Sequence, residues 1–142
     1  MVTGCYILPE WKWRLVVFYE AGPEDRDEIL ETMARFGCRG RDMRTAEELL
    51  EGDRDNRGLT YSNYRRRASV MVIGRTRSAR QFSNTYDHEK GHLVEHICEA
   101  DGIAPGGEEK EYLAGEVAYQ TFPDAMNFLC DKCRGHLESR RN

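Results

Sequence analysis

A long amphipathic segment over residues 78 to 100 constrains the fold of this chain more than any other feature of its sequence. Ser78 and Gln81 have the spacing of a capping box, in which a hydroxyl and a Gln side chain satisfy free N–H groups at a helix start. Apolar side chains then recur at helical spacing, at Phe82, Tyr86, Leu93, Ile97 and Ala100. The pattern predicts a helix of about six turns whose apolar face packs against the rest of the protein.

The remaining sequence predicts shorter elements around this helix. Residues 11 to 19 and 68 to 73 are rich in β-branched and aromatic side chains, which favours two strands. Residues 24 to 36 and 108 to 122 have apolar side chains at helical spacing, which favours two more helices. Residues 51 to 63 begin with a highly charged stretch and predict an exposed loop.

The length and composition favour one domain over residues 1 to 142. A chain of 142 residues with 39% hydrophobic residues has enough apolar material for one modest core. Because the predicted strands are few and the helices long, we expect an α/β (α+β) fold. In this arrangement a small sheet packs on the helices, and the long helix is central.

Charge and hydropathy exclude several classes of protein. The net charge of -4 argues against a general nucleic-acid binder, since phosphate contacts need a surplus of Lys and Arg. No apolar run approaches the roughly 20 residues that a membrane span needs. The five cysteines are odd in number and irregularly spaced, which favours reduced thiols. We therefore expect a cytoplasmic protein without a membrane or nucleic-acid partner.

Two histidines lie four residues apart inside the predicted long helix, in the stretch His88-Glu89-Lys90-Gly91-His92. Residues four apart lie one turn above each other, so both imidazoles can reach one metal ion. The Glu between them lies beside the open face of that ion, where in zinc hydrolases it takes a proton from the zinc-bound water. The stretch therefore predicts a mononuclear Zn²⁺ site with Glu89 as general base.

A helical projection places these histidines at the margin of the apolar face. At about 100° per residue, five polar side chains form one stripe. They are Gln81, Thr85, His88, His92 and His96. Because the stripe adjoins the apolar face, we expect the histidines to flank the core rather than point to bulk solvent. The alternative is a solvated histidine stripe that binds no metal.

Zinc needs a third protein ligand if one position is to stay open for water. His96 lies a further turn along the axis, too far to share a metal with His88. The next predicted helix offers four carboxylates, those of Glu108, Glu109, Glu111 and Glu116. Projection of that helix groups Glu108 with a second buried face and Glu109 with a solvated stripe. The second face consists of Tyr112, Gly115, Tyr119 and Phe122. We expect Glu108 to be the third ligand, and Glu109 is the alternative.

These motifs resemble the minimal gluzincins, compact zincin-type metallopeptidases in which a Glu on the following helix is the third ligand. The His-Glu-x-Gly-His form occurs here at residues 88 to 92, and Glu108 follows it after a 15-residue spacer. The chain is also similar to short uncharacterised bacterial and phage-borne proteins with the sequence Asp-His-Glu-Lys-Gly-His-Leu. The resemblance covers residues 66 to 122. It departs at Glu111, where the family has Ala, and at Tyr112, where the family has Asn or Asp.

The resemblance implies a zincin-like fold and a zinc-dependent hydrolase, namely a small metallopeptidase that acts on a peptide or protein. The implied metal ligands are His88, His92 and Glu108. Glu89 would be the general base, and Tyr112 or Tyr119 would donate to the developing oxyanion. The alternative is a non-catalytic zincin-like module, a bacterial or phage accessory protein in which zinc braces the fold or a surface that binds a partner.

A second motif, Cys130-x-x-Cys133, lies near the end of the sequence and has His136 three residues beyond it. We expect two reduced thiols at a helix end. The alternative is half of a structural zinc site, completed in space by another cysteine. A thioredoxin-like redox role is disfavoured, because the motif does not lie between a strand and a helix of a βαβ unit.

Overall fold

The computed structural model describes residues 1–52 and 57–141 and contains a four-stranded mixed sheet. The strands, in chain order, are β1 (Val2–Leu8), β2 (Trp13–Ala21), β3 (Gly58–Asn63) and β4 (Ala68–Gly74). Their order across the sheet is β1-β2-β4-β3. The central pair, β2 and β4, is parallel, and each edge strand is antiparallel to its neighbour. β3 is therefore an edge strand.

Helices cover both faces of the sheet. They are α1 (Arg26–Arg35), α2 (Gly40–Leu49), α3 (Ala79–Asp101), α4 (Glu108–Ala125) and α5 (Asp131–Arg141). One buried cluster joins α1 and α2 to one face, and a larger cluster joins α3 and α4 to the other. The mixed α and β fold class predicted from the sequence is confirmed. Within the described residues, no helix is long and apolar enough to cross a membrane.

The central strands are apolar because both of their faces are buried. On β2, Leu15 and Val17 contribute to the α3 and α4 side of the core, whereas Phe18 contributes to the opposite side. Every residue of β4 is buried. A strand covered on both faces needs a nearly continuous apolar run, and both of these strands were predicted from such runs.

The long helix forms as its capping sequence predicts. The Ser78 hydroxyl accepts a hydrogen bond from the Gln81 N–H at 3.2 Å, which satisfies one free donor of the first turn. The helix ends at Gly102, whose φ of 64° suits a residue without a Cβ. The next helix, α4, continues past its predicted end and includes Pro123 in its last turn.

The structure differs from the sequence-based prediction at both edge strands of the sheet. The exposed loop predicted over residues 51 to 63 is wrong for residues 58 to 63, which form β3; residues 53–56 of that loop lie outside the described part of the chain. β1 was not predicted at all. The two strands that were not predicted, β1 and β3, are edge strands of mixed composition, so neither has the apolar run that marks the central strands.

Candidate metal centre

The two histidine side chains of the motif converge on the outer side of α3. The Nε2 atoms of His88 and His92 are 3.2 Å apart, and the two ring planes are 84° to each other. Two nitrogens bound to one tetrahedral zinc at 2.0–2.1 Å are separated by about 3.3 Å. The donor atoms thus have the spacing of a zinc chelate. The same spacing also suits a hydrogen bond between one protonated and one unprotonated nitrogen.

The expectation that the histidines flank the core is wrong for this pair. His88 and His92 are exposed, with 48% of the His92 side chain accessible to solvent. The reason is the rotation of α3, which turns Glu89 toward the sheet and leaves the neighbouring histidines outside. Their exposure keeps the ring nitrogens accessible to an ion from solution.

A carboxylate lies beside the second ring nitrogen of His92. Glu95 Oε2 is 4.0 Å from His92 Nδ1, while the Nε2 atom of the same ring faces His88. Metal-binding histidines commonly direct their other N–H to a carboxylate, which fixes the ring orientation and the tautomer. At 4.0 Å the two groups are too far apart for a hydrogen bond, so Glu95 places a carboxylate near His92 without fixing its ring.

His96 has a different environment from the other two histidines. Its Nδ1 is 2.7 Å from the Ser62 hydroxyl oxygen, and its ring centre is 6.5 Å from that of His92. Burial, followed by the nearby His92, lowers the pKa of His96, which favours the neutral ring. His96 is therefore a packed, hydrogen-bonded residue of the interface between α3 and β3.

Glu89 lies between α3 and the edge strand β3, with only 5% of its surface exposed. The Thr60 hydroxyl is 2.9 Å from Glu89 Oε1 and 3.2 Å from the Glu89 backbone oxygen, and both oxygens accept from it. A donor held by the sheet thus fixes one carboxylate oxygen. Glu89 is adjacent in sequence to His88, so the fixed carboxylate and the histidine pair share one turn of α3.

β3 presents small and polar residues to α3, and sequence reasoning missed all of them. Gly58 packs against Glu89, Thr60 binds Glu89, and Ser62 binds His96. The intervening Leu59 and Tyr61 pack on the opposite side of the sheet. This alternation with a period of two is the signal that could have identified the strand.

The close approach of Gly58 to Glu89 leads to a stability prediction with a matched control. A Cβ at Gly58 would lie 2.6 Å from Glu89 Cγ, so Gly58→Ala should displace the buried carboxylate and lower the free energy of unfolding by about 1–3 kcal/mol. A Cβ at Gly91 meets nothing within 4 Å among the described residues, so Gly91→Ala should raise it by about 0.5–1 kcal/mol. Urea denaturation of both metal-free variants measures the two changes. Changes of the same sign would contradict the packing of Glu89 against β3.

The predicted third ligand is not close to the histidine pair in this structure. α4 runs antiparallel to α3, because the Tyr86 and Thr121 hydroxyls are 2.5 Å apart and the start of α4 lies near Cys98. Burial raises the pKa of the Cys98 thiol, Lys110 opposes this effect, and Glu109 adds to it. Cys98 is about 9 Å along the helix axis from His92. Among the described residues, no group of three His, Cys, Asp or Glu side chains is arranged to hold a metal. Glu108 and its alternative Glu109 therefore stay predictions.

The second buried face predicted for α4 is exposed. The exposed fractions are 69% for Tyr112, 73% for Tyr119 and 54% for Phe122, whereas the face predicted with Leu113 and Val117 is buried. In the described part of the chain, no hydrogen bond or ring contact joins Tyr112 or Tyr119 to the histidine pair. Their role as oxyanion donors also stays a prediction.

Comparison of the chain with protein-family models, with curated proteins and with solved structures found no match. The resemblance to the minimal gluzincins thus depends on the spacing of His88, Glu89, His92 and Glu108 in the sequence. The first three of these residues share one helical segment, and the Nε2 atoms of the two histidines converge there. Membership of the family stays a prediction.

Proposed function

We propose that this protein is a zinc-dependent hydrolase that acts on peptides or proteins, with His88 and His92 as metal ligands and Glu89 as general base. The observation that carries the proposal is the 3.2 Å separation of the two histidine Nε2 atoms on an exposed helix face. Zinc at this position would act as a Lewis acid and lower the pKa of a bound water molecule to about 7.

The position of Glu89, next to His88 in the sequence, supports its role as a proton carrier. In this structure the carboxylate is buried and its Oε1 accepts from the Thr60 hydroxyl, so it would have to turn from β3 toward the histidine pair to reach the proton. A general base must be fixed within hydrogen-bond reach of the proton that it accepts. Glu89 would take that proton on its carboxylate and pass it to the leaving group.

The proposed activity is tested by screening the wild-type protein against a mixed peptide library at neutral pH, with a chelator-treated sample as control. We expect cleavage that disappears with the chelator and returns when Zn²⁺ is added in slight excess. Cleavage that survives complete metal removal would contradict zinc dependence. No cleavage in any of the samples would favour the non-catalytic alternative.

The identity of the third ligand is a separate prediction. The resemblance implies that Glu108→Ala removes a metal ligand. It should therefore weaken zinc binding by more than the roughly 10–100-fold that follows loss of a residue that only hydrogen-bonds to a ligand. Glu109→Ala should have a much smaller effect. Competition with a chromogenic chelator measures both affinities. Because no third ligand joins the histidine pair among the described residues, this result would also mean that zinc binding brings the Glu108 carboxylate to the pair. Unchanged affinity in both variants would exclude a ligand from these two positions.

The alternative proposal is a non-catalytic zincin-like module, which a specific observation favours. Glu89 is 95% shielded from solvent and hydrogen-bonded to Thr60, as expected of a residue that braces α3 against β3. In such a protein a fourth protein ligand closes the zinc site, whereas in a hydrolase one position stays open. X-ray absorption spectroscopy of the zinc-loaded protein would separate the two by ligand type, since a fourth His or Cys adds an imidazole or sulfur signal, whereas an open site has an oxygen from water.

A further inference from the structure

Cys130 and Cys133 lie together at the start of α5, outside the site described above. The Arg134 N–H donates to the Cys130 backbone oxygen at 2.9 Å, which is the first bond of this helix. Residues three apart at a helix start lie on the same side of the helix, so the side chains of Cys130 and Cys133 are neighbours. Both thiols are reduced; Cys130 is exposed and Cys133 is half-buried. One thiol of the pair is thus accessible, and the other lies beside it on the first turn.

The first turn of α5 is held firmly against the core. Asp131 accepts from the Ala79 N–H at 2.8 Å, which joins the starts of α5 and α3. Arg134 is 93% buried, forms an ion pair with Glu20 at 3.3 Å and donates to the Thr76 hydroxyl at 3.1 Å. These contacts hold the first turn of α5, and with it the two cysteines, in a fixed position against the core.

The two thiols differ in their electrostatic surroundings. The hydrogen bond from the Cys133 backbone N–H, together with those from the Cys133 thiol and the Lys132 N–H, lowers the pKa of Cys130. The pKa of Cys133 is raised, chiefly because its thiol donates to Cys130. The thiolate therefore forms preferentially at the exposed sulfur, which is the better placed of the two to attack a disulfide.

We propose that Cys130 and Cys133, although they lie between two helices and not in the βαβ unit of a thioredoxin, form a redox-active dithiol that exchanges with small-molecule disulfides, in which Cys130 attacks and Cys133 resolves. Residues three apart at a helix start have Cα atoms about 5 Å apart, which suits a disulfide. The structural zinc site weighed for this motif needs four ligands, so protection of both thiols by Zn²⁺ would distinguish it from the dithiol.

The reaction balances without any further reactant. The Cys130 thiolate attacks one sulfur of a disulfide RSSR, forms a mixed disulfide and expels one RS⁻, which takes a proton from solvent. Cys133 then loses its proton to solvent and attacks the Cys130 sulfur, which expels the second RS⁻. Two protein thiols are oxidised to one intrachain disulfide, and RSSR is reduced to two RSH.

Oxidised glutathione is the probe for the test, with alkylation and peptide mass analysis as the readout. In the wild-type chain we expect a disulfide between Cys130 and Cys133 and no lasting glutathione adduct at either residue. Cys133→Ser should trap one glutathione on Cys130. In Cys130→Ser, glutathione should react with Cys133 at least about threefold more slowly than it reacts with Cys130 in Cys133→Ser.

Cys5 is the matched control, because it is also exposed but lies on β1, away from any helix start. Cys5→Ser should leave the formation of the disulfide unchanged. A lasting adduct on Cys130 in the wild-type chain would overturn the proposal, because it would mean that Cys133 does not resolve. Reaction of Cys130 no faster than that of Cys5, or protection of both Cys130 and Cys133 by stoichiometric Zn²⁺, would overturn it as well.

Discussion

His88→Ala and His92→Ala are each expected to abolish the binding of about one zinc ion per chain that the wild-type protein should show. The reason is the convergence of the two Nε2 atoms at 3.2 Å, since removal of either ring leaves a single exposed imidazole that cannot chelate. Because binding to the folded state is linked to stability, zinc should raise the melting temperature of the wild type and not of the variants. Metal analysis after desalting and thermal unfolding with and without Zn²⁺ measure the two effects.

His96→Ala is the matched control for these variants, since it removes the same side chain one turn further along α3. His96 binds Ser62 through Nδ1, so its loss should lower stability without lowering zinc content. His136→Ala tests in the same way whether His136, on α5, contributes to zinc binding. Unchanged zinc content in both His88→Ala and His92→Ala would exclude the proposed centre and favour the plain hydrogen bond between the two rings.

The elements that the sequence predicted well are those whose local signals agree with their burial. α3 has a cap at Ser78, a stop at Gly102 and an apolar face that the sheet covers. The apolar runs of β2 and β4 are those of central strands, which are covered on both sides. In these segments the intrinsic preference, the periodicity and the tertiary contacts favour the same structure, so the sequence alone was sufficient.

The site was harder to predict, because a helical projection gives the order of side chains around an axis and not the direction from which a neighbour covers them. β3 covers Glu89 and leaves His92 exposed, so this strand decides which side chains of α3 are buried. Its residues that face α3 are Gly58 and Thr60 instead of large apolar residues, so its alternating pattern is hard to detect in the sequence. On α4 the aromatic side chains of Tyr112 and Tyr119 fit an apolar pattern, yet both lie in solvent. Only the packing of the layers decides such faces.

Glu89→Gln is expected to lower the rate of hydrolysis by a factor on the order of 10² to 10⁴ while zinc occupancy stays complete, which is the usual effect of losing a positioned proton carrier. Gln has nearly the same shape as Glu, and its amide oxygen can accept from the Thr60 hydroxyl as Glu89 Oε1 does. The neighbouring histidines keep their donor atoms. The substitution should therefore remove the basic oxygen and little else, so that metal content and melting temperature change little.

Glu99→Gln separates this effect from a mere change in charge, because Glu99 is an exposed carboxylate of the same helix that binds Tyr64 instead of the sheet. Its rate should equal that of the wild type, measured on the same cleaved peptide at the same zinc concentration. Loss of zinc from Glu89→Gln would mean that the carboxylate supports the centre instead of moving a proton. A wild-type rate in Glu89→Gln would assign the base to another group. The non-catalytic module is the better description if the wild type cleaves nothing and Glu89→Gln changes neither stability nor partner binding. In that case residue 89 only braces α3 against β3, and the Gln side chain keeps the hydrogen bond to Thr60 that the fold requires.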